Sequence, residues 1–198
     1  MRKAPIRLES KRLVLRPFSV ADADDMFCNW GGDPEVTRFM FHDAAASVSD
    51  ARSRIRGWML TCGSDEVSIW NYLAVMLKDG NCQIGAVFYA HTNTDARSAE
   101  IGYEFGRQWW RQGFATEALG VLLKYLFNVK RLNRVTGVHD TRNPHSGAVM
   151  LKCGMRLEGT MRSERLLKGE LIDRSHYAIL ADEYFQQESL QQESLQQI

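Results

Sequence analysis

Trp109-Trp110-Arg111-Gln112-Gly113-Phe114-Ala115-Thr116-Glu117-Ala118-Leu119 runs from two large aromatic residues into a basic, amide-rich turn built around glycine. When a strand, a glycine-containing turn and a helix follow one another, unpaired backbone N–H groups and the positive end of the helix dipole face outward together, and that combination holds anions. Phosphate binding is the chemistry open to this stretch; a plain connecting turn is the alternative. Just upstream, Ala99-Glu100-Ile101-Gly102-Tyr103-Glu104-Phe105 alternates with period two. Ile101, Tyr103 and Phe105 share one face of such a strand and Glu100, Gly102 and Glu104 the other, so two carboxylates leave the same side.

The surrounding pattern supplies the elements that must position these groups. Arg12 to Arg16 reads as a half-buried strand ending at Pro17, with a capped helix start at Ser19–Asp22 and another at Asp33-Pro34-Glu35. Ser49 to Leu60 reads as a helix with Ile55, Met59 and Leu60 on its apolar side. Ile69–Leu77 and Gln83–Ala90 read as a hairpin around Lys78-Asp79-Gly80-Asn81, and Thr92 to Arg97 as a polar loop. The helix opened by the turn runs to Asn128, with Ala118, Leu119, Leu122, Leu123, Leu126 and Phe127 as its buried face. A strand at Arg134–His139 follows, then a short helix with Asn143 as cap, Pro144 in its first turn and Gly154 as its stop. Further strands are expected around Arg156–Met161 and Ser175–Leu180.

Composition narrows the possible roles. The chain has 198 residues, 44% hydrophobic and 25% charged, which fits one globular domain burying roughly 70% of its unfolded surface. We expect that domain over residues 1–185, with a solvated Gln/Glu/Ser/Leu repeat tail over 186–198. Twenty-five Lys and Arg against 24 Asp and Glu leave no basic excess for nucleic acid. The N-terminal residues carry no secretion signal and no apolar run reaches the ~20 residues of a membrane span, so a cytoplasmic protein is expected. The four cysteines are scattered and read as reduced and mostly core; neither they nor the five histidines have metal-ligand spacing, so no metal is expected. No Gly-Lys-Ser/Thr follows the turn, and the two further glycines of a dinucleotide fingerprint are missing, which disfavours nucleoside triphosphates and NAD.

Taken together, Arg12-Leu13-Val14-Leu15-Arg16-Pro17, Glu100-Ile101-Gly102-Tyr103, Gly113-Phe114-Ala115-Thr116-Glu117-Ala118, Asn143-Pro144-His145-Ser146 and Cys153-Gly154-Met155-Arg156-Leu157-Glu158-Gly159 occur in one order over about Leu8 to Leu180. In that order they resemble the GNAT superfamily of N-acetyltransferases, in the branch of bacterial enzymes that acetylate the N-terminal alanine or serine of ribosomal proteins. The resemblance implies an α/β (α+β) GNAT-like fold: a mixed, mostly antiparallel central sheet flanked by helices and splayed between the two strands that bracket the cofactor helix.

It also implies acetyl-CoA as cofactor. The pantetheine arm would pair with Ile101, Tyr103 and Phe105, and the pyrophosphate would sit on Arg111, Gln112, Gly113, Phe114, Ala115 and Thr116, with Gly113 allowing close approach. The superfamily's Gln or Arg three residues before the glycine is Trp110 here, which shifts weight to backbone contacts. Asn143 would fix the cofactor amide. Acetyl transfer to an amine needs a base for the ammonium proton and a donor for the departing thiolate. Glu100 is the preferred base, with Glu104 more readily explained as a solvated carboxylate; Glu158 and Glu164 are expected on the strands lining the acceptor cleft, where either binds a cationic amine or, as the simpler reading, forms an exposed salt bridge. Many superfamily members donate the proton from a tyrosine at the position of Met150, so Ser146, matched in the ribosomal-protein branch, becomes the donor. His139 and His145 are read as exposed and not as bases. The acceptor is expected to be a protein N-terminus or a small-molecule amine, the enzyme a monomer or homodimer. A drug-modifying enzyme and a non-catalytic acyl-CoA-binding module are the alternatives, the second because of Met150.

Overall fold

The computed structural model describes residues 6–80 and 82–196. Its centre is one eight-stranded sheet in the order β1-β2-β3-β4-β5-β6-β8-β7, built from β1 (Leu8–Glu9), β2 (Leu13–Pro17), β3 (Trp70–Leu77), β4 (Gln83–Asn93), β5 (Ser98–Phe105), β6 (Arg134–Asp140), β7 (Arg156–Leu167) and β8 (Glu170–Leu180). Every neighbouring pair is antiparallel except β5 and β6, which are parallel and joined by the crossover helix α4 (Phe114–Asn128). This is the expected mixed, mostly antiparallel α/β sheet of a GNAT-like fold.

One face is covered by α4 and by α5 (Pro144–Lys152). Ala118, Leu119, Leu122, Leu123 and Leu126 of α4 are buried against Leu15, Leu73, Val87, Tyr89, Ile101 and Val135 of the strands. Full burial of a leucine contributes roughly 1.5–3 kcal/mol, so this stripe fixes where the N-terminus of α4 stands. The other face carries α1 (Ala23–Met26), a π-type turn at Phe27–Gly31, α2 (Pro34–Thr37) and α3 (Val48–Thr61), whose Met26, Trp30, Ala51 and Ile55 pack on Ala74, Met76 and Ala86.

Several boundaries differ from the pattern reading, for physical reasons. The cap of α3 is Ser47, which accepts from the Asp50 amide, and its buried stripe is Ala51 and Ile55 with Trp58 packed alongside. Met59 and Leu60 turn outward, 43% and 88% exposed, because one step of about 100° carries them past the sheet. The β3–β4 hairpin forms as expected, although Asn81 of its turn lies outside the described residues; β4 runs on to Asn93 and shortens the polar loop. The last two strands extend to a long hairpin closed at Lys168-Gly169, where charged residues hid the alternation. Helix α6 (Ala181–Gln196) continues across residue 185 into the repeat, with Tyr184 stacked on Phe127 at 4.7 Å. The four cysteines are free; Cys28 is exposed, and Cys62, Cys82 and Cys153 are partly buried and pack against the core.

Candidate active site

The site begins where two strands separate. Parallel pairing of β5 with β6 runs only from Ser98↔Arg134 to Ile101↔Gly137. β4 holds β5 along its whole length, while β8 holds β6, so beyond Ile101 the two diverge and the β5 backbone from Gly102 onward loses a partner on that edge. An unpaired strand edge offers a row of N–H and C=O groups to an extended ligand.

A cleft of about 690 Å³ fills the opening. Tyr103, Glu104 and Phe105 line it from β5, Trp109 to Arg111 and Gly113 to Thr116 from the turn, and Asn143 to Ser146 from the start of α5. Ile101 is absent from the lining: its side chain is buried in the core, leaving only its backbone relevant. Gln112 is also turned away, its side-chain amide donating to the Gln108 carbonyl (2.7 Å).

The turn has the shape of an anion cradle. Arg111 and Gly113 take left-handed conformations (φ +61° and +80°), and Gly113 stands at the N-cap of α4 with no side chain capping the first amides. Those N–H groups have no partner within the helix and point into the cleft mouth, where the helix dipole adds its positive end. Trp110 ties the turn back to the strand by donating from Nε1 to the Phe105 carbonyl (2.6 Å). Arg12 braces it from outside: Nη1 donates to the Gln112 carbonyl (3.1 Å), Nε to Glu117 Oε2 (2.6 Å), and the guanidinium lies 4.1 Å from the Phe114 ring centre. Burial alone would push the Glu117 carboxyl up, but the Ser10 hydroxyl and Arg12 together hold it below its ordinary range.

At the opposite wall Asn143 occupies the N-cap of α5 without capping it, so its side-chain amide is left for the cleft. Ser146, in the first turn, meets the Tyr103 hydroxyl, which donates to the Ser146 carbonyl (2.7 Å) and lies 2.9 Å from its Oγ. Burial holds the Tyr103 phenol well above its ordinary value, with the Ser146 contact opposing.

The two strand carboxylates have different fates. Glu100 does not line the cleft; it lies at the last paired stretch before the strands part, on the face of the sheet opposite α4, among Arg174, His176, Arg165 and Glu164 of the β7–β8 hairpin. Burial raises its carboxyl above the ordinary range and those cations only partly offset this. Glu104, expected to be solvated, is buried and 3.2 Å from His42 Nε2. Of the two carboxylates expected near an acceptor, Glu164 is brought beside Glu100 and bonds His176 at 2.8 Å, whereas Glu158 is paired with Arg134. His145 borders the cleft, and His139, expected exposed, is buried against Tyr177. His42 and Arg12 were the residues sequence reasoning did not connect to the site, since their partners lie far away along the chain.

The orphan amides, the left-handed turn and the open strand edge fit the pyrophosphate and the pantetheine amides of acetyl-CoA, while no helix among the described residues is long and apolar enough to cross a membrane. The family model for the acetyltransferase (GNAT) domain matches residues 12–156. The uncharacterized N-acetyltransferase p20 of Bacillus licheniformis is 33% identical over 177 residues, covering 89% of this chain and 97% of its own. A GNAT-family acetyltransferase structure from Bacillus anthracis superimposes with a TM-score of 0.78 at 26% identity, covering 89% of this chain and 99% of the other. The microcin C7 self-immunity acetyltransferase MccE, solved with acetyl-CoA and AMP, shares the fold with a TM-score of 0.77 at 21% identity, covering 86% and 93%. The chain belongs to the GNAT family of acetyltransferases, and acetyl-CoA is its cofactor.

Proposed function

We propose that this enzyme transfers an acetyl group from acetyl-CoA to a primary amine, and that the amine is a protein N-terminus of the ribosomal-protein kind. The acceptor assignment rests on the resemblance of the Glu100, Gly113, Asn143-x-x-Ser146 and Cys153-Gly154 pieces to that branch. A cytoplasmic location belongs to the same reading.

The observation that carries the chemistry is the placement of Glu100. Acetyl-CoA supplies a thioester whose carbonyl carbon an amine can attack. Its pantetheine would lie along the Tyr103–Phe105 edge, its pyrophosphate on the amides from Arg111 to Thr116, with Arg111 adding charge and Asn143 holding an amide. Glu100 stands where the strands part, and a carboxyl raised toward neutrality by burial is a better base than an ordinary one. Because its side chain stands outside the cleft lining, it takes the proton that the acceptor nitrogen must lose through a bridging water, and Glu164 beside it adds negative charge for an ammonium. Ser146, across the cleft, gives its Oγ proton to the sulfur that departs.

A test is single-turnover acetylation of peptides beginning with alanine or serine, set beside small amines and aminoglycoside-type drugs. Faster transfer to the peptides supports the reading. Transfer only to small amines would move the acceptor to that class, and acetyl-CoA binding without any transfer would leave a binding module.

A further inference from the structure

The sequence leaves a chemical gap at position 150. A methionine cannot donate a proton, and in the structure Met150 is 1% exposed, with its sulfur packed against Gly137 so closely that a Cβ there would stand 2.6 Å away. Position 150 is therefore a packing position of the core. A phenol nevertheless reaches the same helix from another element: Tyr103, on β5, enters the cleft and touches Ser146 twice, at the backbone carbonyl and at Oγ.

The geometry points to Tyr103 as the positioning residue for proton donation by Ser146, supplying from the cofactor strand the phenol that Met150 does not supply from the helix. This rests on the reading of Ser146 as the donor to sulfur. One O–H serves one acceptor well at a time. At rest the Tyr103 proton goes to the Ser146 carbonyl at 2.7 Å, which fixes the first turn of α5, and the phenol oxygen can accept from Ser146 Oγ at 2.9 Å. During transfer the acceptor nitrogen bonds to the carbonyl carbon and loses its proton toward Glu100, the C–S bonding pair goes to sulfur, and sulfur takes the Ser146 proton. Negative charge then appears on Ser146 Oγ. The Tyr103 proton is already within reach and needs only to turn about the C–O bond to meet it, with no heavy atom displaced. When the thiol product leaves, solvent carries to Oγ the proton that Glu100 gives up, which restores both groups. A donor in place before charge develops is the arrangement that stabilises a transition state most. Burial keeps the phenol neutral, as a donor must be.

The experiment is Tyr103→Phe, which removes the hydroxyl and keeps the ring. Loss of one preorganised donor costs roughly 10²–10³ in rate, so single-turnover acetyl transfer should slow by about 100-fold while acetyl-CoA affinity stays within about twofold. Ser146→Ala should slow transfer comparably, and the double variant should be no slower than the slower single one, because the second change finds nothing left to remove. A binding readout is independent of turnover. Coenzyme A affinity, measured calorimetrically below and above the titration of its thiol, should fall on ionisation in Tyr103→Phe by at least threefold more than in the wild type. A further variant carries a fluorinated, more acidic tyrosine at 103. It should lose activity at alkaline pH where the wild type does not. Wild-type rates in Tyr103→Phe, losses that multiply in the double variant, or an unchanged alkaline profile with the fluorinated residue would overturn the assignment. If wild-type protein bound acetyl-CoA and acetylated no amine, the acetyltransferase reading would fail instead.

Discussion

The Glu104 carboxylate, with its side chain only 1% exposed, stands 3.2 Å from the imidazole of His42, which reaches it from the loop between α2 and α3. The two are near enough for charge attraction but are not aligned for a hydrogen bond. Arg54 of α3 closes the group from behind, its Nη1 2.9 Å from His42 Nδ1. Burial and, less strongly, Arg54 oppose a charged His42, but Glu104 and the Asp43 carbonyl together outweigh them, so the imidazole is held above its ordinary value; the Tyr72 phenol nearby is pushed up to about 12 by burial and by the same carboxylate.

A raised histidine value fixes the sign of the pH effect. Its stabilisation is complete below the unfolded value of about 6.5 and is lost as the pH rises through the folded one. The Tm gap between wild type and Glu104→Gln should therefore be widest in mildly acidic buffer and narrow toward alkaline pH. NMR titration of His42 in Glu104→Gln should give a value lower than in the wild type. An unchanged titration would mean that the carboxylate is not what holds the charge.

Gly113→Glu should abolish tight cofactor binding while leaving a folded protein. A left-handed conformation at a non-glycine residue costs roughly 1–3 kcal/mol, and the new carboxylate would sit against the phosphates. Acetyl-CoA affinity should fall by about 100-fold, ~2.7 kcal/mol, by calorimetry. Near-native affinity would remove the pyrophosphate from this turn.

Arg12→Ala should act on the same turn from outside. With the Glu117 pair, the Gln112 bond and the Phe114 contact gone, acetyl-CoA should bind about tenfold more weakly. Tm should fall by roughly 2–4 °C, because a partly exposed ion pair contributes about 1 kcal/mol. A scan in acid should show a second effect. Glu117 is held below its ordinary value, so its contribution is present above that value and lost as pH falls through the depressed one.

Glu100→Gln should slow transfer by roughly 10²-fold or more without weakening acetyl-CoA binding. In the wild type the acid limb of kcat/KM should lie above about 4.3, the ordinary glutamate value, because burial raises this carboxyl. In the variant that limb should vanish. A limb that persists in Glu100→Gln would assign the base to another group, with Glu164 the nearest candidate.

The linear sequence determined whatever depends on neighbours in the chain. The apolar spacing from Ala118 to Phe127 marks α4, the alternation from Ala99 to Phe105 marks β5, and Gly113 between them marks the turn; all three stand as read, since local periodicity and a glycine backbone set them. Tertiary structure decided whatever depends on which strands pair and where pairing stops. The end of the β5–β6 ladder at Ile101↔Gly137 separates Glu100 from the cleft, and the loop that carries His42 buries Glu104, though both carboxylates share one strand face. Charged residues from Arg162 to Arg174 hid the length of the last hairpin, because cross-strand pairing and not apolar alternation holds it. The meeting of Tyr103 with Ser146 has no local signature either. It arises because α4 carries the chain across the sheet and α5 then sets its first turn beside the edge of β5.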